Sequence, residues 1–426
     1  MKTPILDQIF FKDRRRELLK RLPSNSLAFV ISADELPRNG DQRYPFRQNS
    51  DLFYLTGISQ EQTILALCPA HPQEKFHEVL FIRQSNPQIE TWLGHKYTKE
   101  EAQQITGIKT IFWYHEFEAY LSEFMYYTNN VFISVNENMQ YRRFYNDAEY
   151  RFIEKLKFLY PLHNYNRLGP LLTQLRLKKQ KQELEVIKYA IFITHKAFKR
   201  ILNFVKPGVY EYEIEAEIMH EFIRHGIRNV AYLPIIASGS NANVLHYIKN
   251  NSLCKSRELL LMDFGAEYLN YAADLTRTIP VNGRFTQRQK EVYQVVYNVQ
   301  RQMIERVIKP GITINQINKY AEKLIADGLV ALGLIKETEK ENLKKIKEFY
   351  PHGLSHFLGL DVHDVGSKDI PLEPGMVITV EPGIYIKKEG LGIRLENDVL
   401  ITEKGTDDLM KDIPLTIEQI EEVMNS

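Results

Sequence analysis

Residues 201–226, ILNFVKPGVYEYEIEAEIMHEFIRHG, predict a helix, a Lys-Pro-Gly break at 206–208 and a second, amphipathic helix. The same pattern returns in residues 304–328, IERVIKPGITINQINKYAEKLIADG, with the break at 309–311. The period of 103 residues (309 − 206) is too long for a solenoid repeat. Lys-Pro-Gly is a common helix stop, but the matching helices around it favour a duplication over coincidence. We therefore predict two similar halves of one domain, packed about a pseudo-two-fold axis with a cleft between them.

The residues before this domain predict a separate, mixed α/β domain. Three apolar runs are typical of strands and two segments of helices: residues 27–31, 78–82 and 129–135 for the strands, and residues 99–106 and 116–126 for the helices. A length of 426 residues fits two domains. Gly169-Pro170 and the polar run that follows it indicate the boundary. We predict an amino-terminal domain over residues 1–175 and a second domain over residues 176–426.

Composition and charge narrow the class of protein. Lys and Arg total 55 and Asp and Glu total 54, so the net charge gives no reason to expect nucleic acid or a membrane surface as a partner. The sequence has no apolar stretch of about 18 residues that would span a membrane, and residues 1–20 lack the apolar core of a secretory signal. Two cysteines, Cys68 and Cys254, are typical of buried free thiols in a reducing compartment. We therefore expect a cytoplasmic protein.

Acidic residues stand at the ends of apolar runs that predict buried strands. Three such runs end in an acid: 258–262 in Asp263, 376–380 in Glu381 and 392–395 in Glu396. A turn near 266–270 would bring Asp274 beside Asp263 in a hairpin. Burying several carboxylates together is costly, and the nearby Arg277 and Arg394 supply too little positive charge to offset it. Divalent cations would neutralise the group, and two ions sharing carboxylates could hold one activated water.

Histidines accompany these acids along the sequence: His246, His352, His356 and His363. Oxygen-rich ligands with one imidazole suit Mn, Co, Zn or Fe. The stretch HGLSH at 352–356 is similar to the zinc motif HExxH, but it lacks the general-base glutamate, so we reject a zincin site. Taken singly, each histidine is more typical of a structural role and each acid of a turn or cap. The set as a whole is far more specific and indicates a metal-dependent site.

The segments that carry these residues resemble aminopeptidase P and prolidase, the Xaa-Pro branch of the pita-bread metallopeptidases. They are MDFGAEYLNYAADLTRT (262–278), HGLSHFLGLDVHDVG (352–366), LEPGMVITVEPGIY (372–385) and GIRLENDVLIT (392–402). A further segment, RYPFRQNSDLFYLTGI (43–58), is similar to the amino-terminal domain of aminopeptidase P and favours it over prolidase. The resemblance implies an α/β (α+β) architecture, in which an amino-terminal domain of the creatinase and aminopeptidase P type precedes a pita-bread catalytic domain. It also implies removal of the N-terminal residue from peptides whose second residue is proline.

The same resemblance implies two divalent metal ions, with Mn(II) as the first choice and Co, Zn or Fe as alternatives. Asp263 would chelate one ion, and Asp274 and Glu396 would bridge both. His356 and Glu381 would complete the second ion's ligands. Glu381 would also act as the base toward a bridging hydroxide that attacks the carbonyl before proline.

Further site residues follow from the resemblance. His246 and His363 would bind the substrate or stabilise the tetrahedral intermediate. Arg394 would hold the ligand Glu396 in place. His352 would lie near the pocket as a further substrate-binding residue.

Trp92, in ETWLGHK (90–96), resembles an aromatic residue that some oligomers of the family insert into a neighbour's active site. Simple packing explains this tryptophan equally well. Together with the resemblance, Trp92 leads us to expect a homodimer or homotetramer.

Other functions stay open at the level of sequence. Prolidase, which acts on dipeptides, shares every metal ligand. The link at 364–372 would help to shape the far side of the substrate site. Because it is short and lacks an arginine found there in some aminopeptidases P, a preference for long peptides over dipeptides stays open. Methionine aminopeptidase shares the ligands, but the large amino-terminal domain speaks against it. Creatinase is a metal-free relative, and a non-catalytic binding module is a different class of protein; both are expected to lose ligands, whereas all five positions are filled here.

Overall fold

The computed structural model describes residues 3–137 and 147–426 and divides the chain into two units, Ile5–Arg176 and Leu177–Ser426, the second of which also includes residues 3–4. Each unit contains both helices and strands, in agreement with the predicted α/β (α+β) class. Within the two described ranges, the helices that are long enough to cross a bilayer are too polar to do so, and the apolar ones are too short.

The amino-terminal unit contains a mixed sheet. Its helices are α1 (Gln8–Leu19), α2 (Ser50–Thr56), α3 (Pro87–Leu93), α4 (Lys99–Thr106), α5 (Phe117–Tyr126), α6 (Ala148–Leu159) and α7 (Gly169–Leu177). Its strands are β1 (Ser26–Ile31), β2 (Pro37–Asn39), β3 (Gln42–Arg43), β4 (Ile64–Leu67), β5 (Glu78–Ile82), β6 (Thr110–Trp113), β7 (Asn130–Ile133) and β8 (Asn164–Arg167). Among the described residues, six strands form a sheet in the order β6-β5-β4-β1-β7-β8, and β4 is antiparallel to both of its neighbours. The predicted strands and helices of this unit are confirmed.

Aromatic side chains fill the core beneath this sheet. Strand β1 is buried along its whole length, as expected for a central strand of apolar residues. Phe117 at the start of α5 packs edge-to-face on Phe29 and Phe81, with ring centroids 5.6 and 5.1 Å apart. Such edge-to-face contacts add to the free energy gained by burying the rings. The sheet and α5 therefore share one hydrophobic core.

The second unit contains the two predicted halves. The first half comprises α8 (Lys181–Phe204), α9 (Glu211–Arg224), β9 (Ile235–Ser238), β10 (Leu259–Phe264), β11 (Glu267–Tyr268), β12 (Tyr271–Ala272) and β13 (Leu275–Pro280). The second half comprises α10 (Gln287–Gln302), α11 (Ile314–Ala331), α12 (Leu343–Phe349), β14 (Val377–Val380), β15 (Gly383–Ile386), β16 (Leu391–Arg394), β17 (Asn397–Thr402), β18 (Gly405–Asp408) and α13 (Ile417–Met424). A π-helical turn, Met303–Val307, continues α10 to the second Lys-Pro-Gly break.

The two breaks are alike in detail. Gly208 and Gly311 both have positive φ angles, +98° and +89°, which favour glycine. The N–H of Gly208 donates to the carbonyl oxygen of Cys254 at 2.9 Å, and the N–H of Gly311 donates to that of Leu372 at 2.8 Å. In each half, the glycine therefore ties the start of the second helix to a segment much later in the chain. This agreement confirms that the repeat is structural and not a coincidence of helix stops.

Cys68 and Cys254 are both free and buried, as predicted. Burial raises the pKa of the Cys68 thiol to about 11 and that of Cys254 to about 12. Because the thiolate is the reactive form of cysteine, neither residue is suited to nucleophilic chemistry at neutral pH.

Candidate metal centre

The first half places Asp263 and Asp274 on one hairpin. Strand β10 pairs with β13 in antiparallel register, with Asp263 opposite Thr276, and Asp274 lies immediately before β13. The two arms of the hairpin approach closely at Gly265, where a Cβ atom would lie 1.7 Å from the carbonyl oxygen of Ala273. Only glycine fits at that position, and the approach makes the two carboxylates diagonal neighbours across the hairpin.

Tyr232 connects these two carboxylates. Its hydroxyl lies 2.5 Å from an oxygen of Asp263 and also within hydrogen-bonding distance of Asp274. Burial, and then the charges of the two acids, raise the pKa of Tyr232 well above its usual value. The phenol therefore keeps its proton and can donate it in a hydrogen bond to either carboxylate.

The second half supplies Glu381 directly after β14. The N–H of Glu381 donates to the carbonyl oxygen of Leu354 at 2.9 Å, and the N–H of Thr379 donates to that of His356 at 3.0 Å. These bonds tie the end of the strand to the segment that carries the histidines. Glu381 and His356 are therefore positioned by the same backbone contacts.

Glu396 follows β16 and is fixed to the first half by Thr276. The N–H of Glu396 donates to the carbonyl oxygen of Thr276 at 3.0 Å, and the Thr276 hydroxyl donates to Oε2 of Glu396 at 2.7 Å. Arg277 adds a bond from Nη1 to the Glu396 carbonyl oxygen at 2.6 Å. The two halves thus meet at this carboxylate.

The predicted ligand residues come together at this junction. Oxygens of Asp274 and Glu396 and a ring nitrogen of His356 all lie within 4.8 Å of one another. His356 Nε2 lies 3.4 Å from Asp274 Oδ2 and 3.7 Å from Glu381 Oε1. Asp263 joins the group through the tyrosine contact described above. The arrangement brings four carboxylates and one imidazole to a single buried position.

The carboxylates of this group are short of positive charge. Burial raises the pKa of Asp274, and burial together with the charge of Asp274 raises that of Glu396 well above its usual value. Burial also raises the pKa of Glu381 to about 7. Burial disfavours the charged form of His356, yet its hydrogen bond to Asp274 raises its pKa to about 9. Carboxylate oxygens with one imidazole are ligands that Mn(II) and related ions accept, so the residues fit a divalent cation that would offset this excess of negative charge.

Arg394 lies beside the group and donates in three directions. Nη2 donates to Asp263 Oδ2 at 2.6 Å, Nη1 to the hydroxyl of Tyr385 at 2.8 Å, and Nε to the hydroxyl of Thr276 at 3.2 Å. The resemblance implied that Arg394 holds Glu396. In the structure the direct carboxylate partner is Asp263, and Arg394 reaches Glu396 only through Thr276.

The remaining histidines surround the same position. His363 is exposed, and its ring packs edge-to-face on that of His356 with centroids 4.4 Å apart. His352 lies 2.9 Å from the Tyr385 hydroxyl through Nε2, and its Nδ1 is 3.8 Å from Glu381. Burial is the main reason that the pKa of His352 falls to about 3. Partial desolvation by the surrounding protein lowers the pKa of His363 to about 4, and His246 is near enough to both histidines to lower their pKa values further. Exposed His246 and His363 are thus available to a bound molecule.

Trp92 lies on α3 in the amino-terminal unit. Its side chain is 80% exposed, and α3 contains no buried residue. Packing within this chain therefore does not account for the tryptophan.

Sequence patterns missed three side chains that form hydrogen bonds within the site. Tyr232 and Thr276 donate to the acids, and Tyr385 bonds to Arg394 and His352. A signal existed for Thr276, because it lies in a predicted strand two residues after Asp274, and alternate residues of extended chain point to the same side. Tyr385 lies in the segment LEPGMVITVEPGIY, four residues after Glu381, but no polar pattern marks it. Tyr232 precedes β9 without any motif of its own, so it could not have been found from sequence.

Comparisons with known proteins are consistent with this geometry. Residues 185–403 match metallopeptidase family M24, and residues 11–133 match the aminopeptidase P amino-terminal domain. The chain is 35% identical over 433 residues to the Xaa-Pro aminopeptidase of Escherichia coli (strain K12), covering 97% of each. It is 36% identical over 429 residues to the Xaa-Pro aminopeptidase of Haemophilus influenzae, again covering 97% of each. Among solved structures, aminopeptidase P from E. coli with the inhibitor Pro-Leu superposes with a TM-score of 0.89 at 34% identity, covering 99% of both chains.

Proposed function

The chain belongs to metallopeptidase family M24, and we propose that it removes the N-terminal residue from peptides whose second residue is proline. The observation that carries the proposal is the junction of Asp274, His356 and Glu396, with Asp263 and Glu381 beside it. The match of residues 11–133 to the aminopeptidase P amino-terminal domain supports this branch of the family.

The proposed cofactor is a pair of divalent ions, with Mn(II) as the first choice and Co, Zn or Fe as alternatives. The residues that would hold them are Asp263, Asp274, His356, Glu381 and Glu396. When bound, the ions would supply a water of lowered pKa and neutralise the buried carboxylates. This assignment is supported by the excess of buried carboxylates over basic side chains in the group, where burial and the neighbouring carboxylates raise the pKa values of Asp274 and Glu396.

The chain's own residues would move the protons and hold the substrate. Glu381 would take a proton from the attacking water as the new C–O bond forms at the carbonyl before proline. It would then give that proton to the proline nitrogen as the C–N bond breaks, releasing an amino acid and a peptide that begins with proline. His246 and His363, exposed beside the cluster, would bind the substrate and stabilise negative charge on the carbonyl oxygen. His352 would line the same pocket, and Arg394 would hold Asp263 in place.

We favour longer peptides over dipeptides as substrates. A dipeptide that begins with proline, such as the Pro-Leu bound to the E. coli relative, is what remains when an Xaa-Pro-Leu tripeptide loses its first residue. Proline lacks the N–H that many peptidases bind, so a site that is selective for proline must recognise this residue by other contacts. Prolidase, the alternative, would cleave the Xaa-Pro dipeptide instead.

The proposal also includes the cellular compartment and the oligomeric state of the protein. Two buried free thiols suit a reducing compartment, and we propose the cytoplasm. We also propose a homodimer or homotetramer, in which exposed Trp92 contacts a neighbouring copy. Sedimentation would test the assembly, because a fully active monomer contradicts it.

The experiment is hydrolysis of a matched pair of substrates, an Xaa-Pro dipeptide and an Xaa-Pro-Yaa tripeptide. Both are assayed after EDTA treatment and again with added Mn(II). We expect cleavage of the tripeptide that returns only with metal, and a Glu381→Gln variant that is slower by about 10²–10⁴-fold. Cleavage of the dipeptide alone would identify a prolidase. Metal binding without cleavage of either substrate would indicate a non-catalytic binding module.

A further inference from the structure

Lys179 and Asp364 form an ion pair that is hidden from solvent. Nζ lies 3.1 Å from Oδ2, and each side chain is 1% exposed. Its neighbour Lys178 pairs with Glu373, and those side chains are 48% and 49% exposed. Two charges lose their hydration when a pair is buried, so a buried pair contributes little net stability. A buried pair is better suited to fixing one particular arrangement of the chain, and its surroundings indicate which one.

Asp364 lies within residues 358–366, and the ion pair packs against the backbone of this segment. The structure describes all of these residues and places none of them in a helix or a strand. A Cβ atom on Gly359 would lie 2.2 Å from Asp364 Oδ2 and 3.0 Å from Cε of Lys179, so the ion pair rests directly on this backbone. The N–H of Asp364 donates to the carbonyl oxygen of Phe357 at 2.9 Å. The carbonyl oxygen of Gly359 in turn accepts from the N–H of Ala272 at 2.9 Å. The segment is thus clamped between Lys179 and the hairpin of the first half.

His363 directly precedes Asp364 and packs on His356. An irregular segment has no ladder of backbone hydrogen bonds to set the direction of its side chains, so its position depends on such individual ties. We propose that Lys179 is a positioning residue, which acts through Asp364 to hold His363 against His356. This inference rests on the proposed function, in which His363 meets the substrate.

The test compares Lys179→Met, which removes the charge at nearly constant length, with Lys178→Met as the matched control. We expect Lys179→Met to lower kcat/KM for the tripeptide by about tenfold to a hundredfold, and Lys178→Met to leave it within about twofold because its pair is exposed. The same substitution is then made in a His363→Ala background. If Lys179 acts through His363, Lys179→Met costs little in that background. An equal loss in both backgrounds would overturn the proposal.

A second readout does not depend on activity. Hydrogen exchange of the amides in 357–366 should be faster in Lys179→Met than in the wild type and unchanged in Lys178→Met. Unchanged exchange in Lys179→Met overturns the proposal, even if the wild type proves inactive and the proposed function fails. If Lys179→Met does not fold, Asp364→Asn takes its place in both measurements, because it removes the carboxylate and keeps an oxygen for the ammonium group.

Discussion

At the scale of single residues, Arg394 connects three other side chains of the site by hydrogen bonds. Its guanidinium reaches an acid, a phenol and a hydroxyl at once, at Asp263, Tyr385 and Thr276. A planar group with several fixed donors can do this, whereas an ammonium group on a flexible chain cannot match the same three directions. The position therefore depends on geometry as well as charge.

We expect both Arg394→Lys and Arg394→Met to lower kcat/KM by about 10- to 100-fold, because Asp263 loses the contact that orients it. Steady-state kinetics with the tripeptide, together with calorimetric measurement of Mn(II) affinity, check this. Arg288→Met removes a surface ion pair with Glu389 and serves as the control, with no more than a twofold change expected. A lysine variant with full activity would show that charge alone suffices.

Sequence predicted the charged residues of the site better than their partners. An apolar run that ends in an acid, as at Asp263 and Glu381, is a local pattern and can be read directly. The partner of such an acid is set by tertiary contacts: Tyr232 lies 42 residues from Asp274, and Lys179 lies 185 residues from Asp364. A local sequence pattern carries no information about contacts between residues so far apart in the chain. The hydrogen bonds that orient the acids therefore appeared only in the structure.

At the scale of elements, the first residue of α9 organises a long loop. Glu211 is fully buried, and its carboxylate accepts hydrogen bonds from donors across residues 238–252, the segment that carries His246. The donors are the N–H and hydroxyl of Ser238, the amide of Asn241, the hydroxyl of Tyr247 and the N–H of Ser252. One side chain therefore shapes the loop on which a substrate-binding histidine is proposed.

Replacing Glu211 with alanine should destabilise the protein by about 3 kcal/mol or more, because each buried donor left unpaired costs about 1–3 kcal/mol. Urea unfolding measures the change. Glu213→Ala, two residues along the same helix, removes only an exposed capping contact to the N–H of Tyr210 and should cost about 1 kcal/mol. Equal costs for the two variants would contradict the role assigned to Glu211.

The two helix breaks allow a paired test of the repeat. Gly208 and Gly311 have positive φ angles, and an added Cβ atom at either position meets nothing within 4 Å. Alanine there introduces backbone strain without a clash, so each substitution should cost about 1–2 kcal/mol in urea unfolding. The two values should agree closely, because the halves share this turn. A cost at one position and none at the other would mean that the turns are not equivalent.

Helices and strands with a regular sequence pattern were predictable, whereas irregular features such as a π-helical turn or a two-residue ladder were not. The helix at 99–106 and the strand at 78–82 were predicted at their observed bounds, since capping and apolar runs are local signals. The π-helical turn Met303–Val307 gave no such signal, because its side chains continue an ordinary helical pattern. The turn predicted near 266–270 is present, with positive φ at Leu269 and Asn270, two residues that are not glycine, but the small ladder β11–β12 beside it was not predicted.

At the scale of the whole molecule, metal binding should stabilise one unit selectively. All five proposed ligands lie in Leu177–Ser426, whereas both tryptophans, Trp92 and Trp113, lie in Ile5–Arg176. Ligand at 100 times its dissociation constant stabilises the folded state by about 2.7 kcal/mol per site, which for a unit of this size corresponds to about 5–10 °C in Tm for one ion and about twice that for the proposed pair. Circular dichroism reports on both units, and tryptophan fluorescence reports on the amino-terminal unit. Mn(II) added to EDTA-treated protein should therefore raise the melting transition seen by circular dichroism by about that amount, and the fluorescence transition by less. An equal shift in both signals would mean that the units unfold together, and no shift in either would contradict a metal site at the carboxylate cluster.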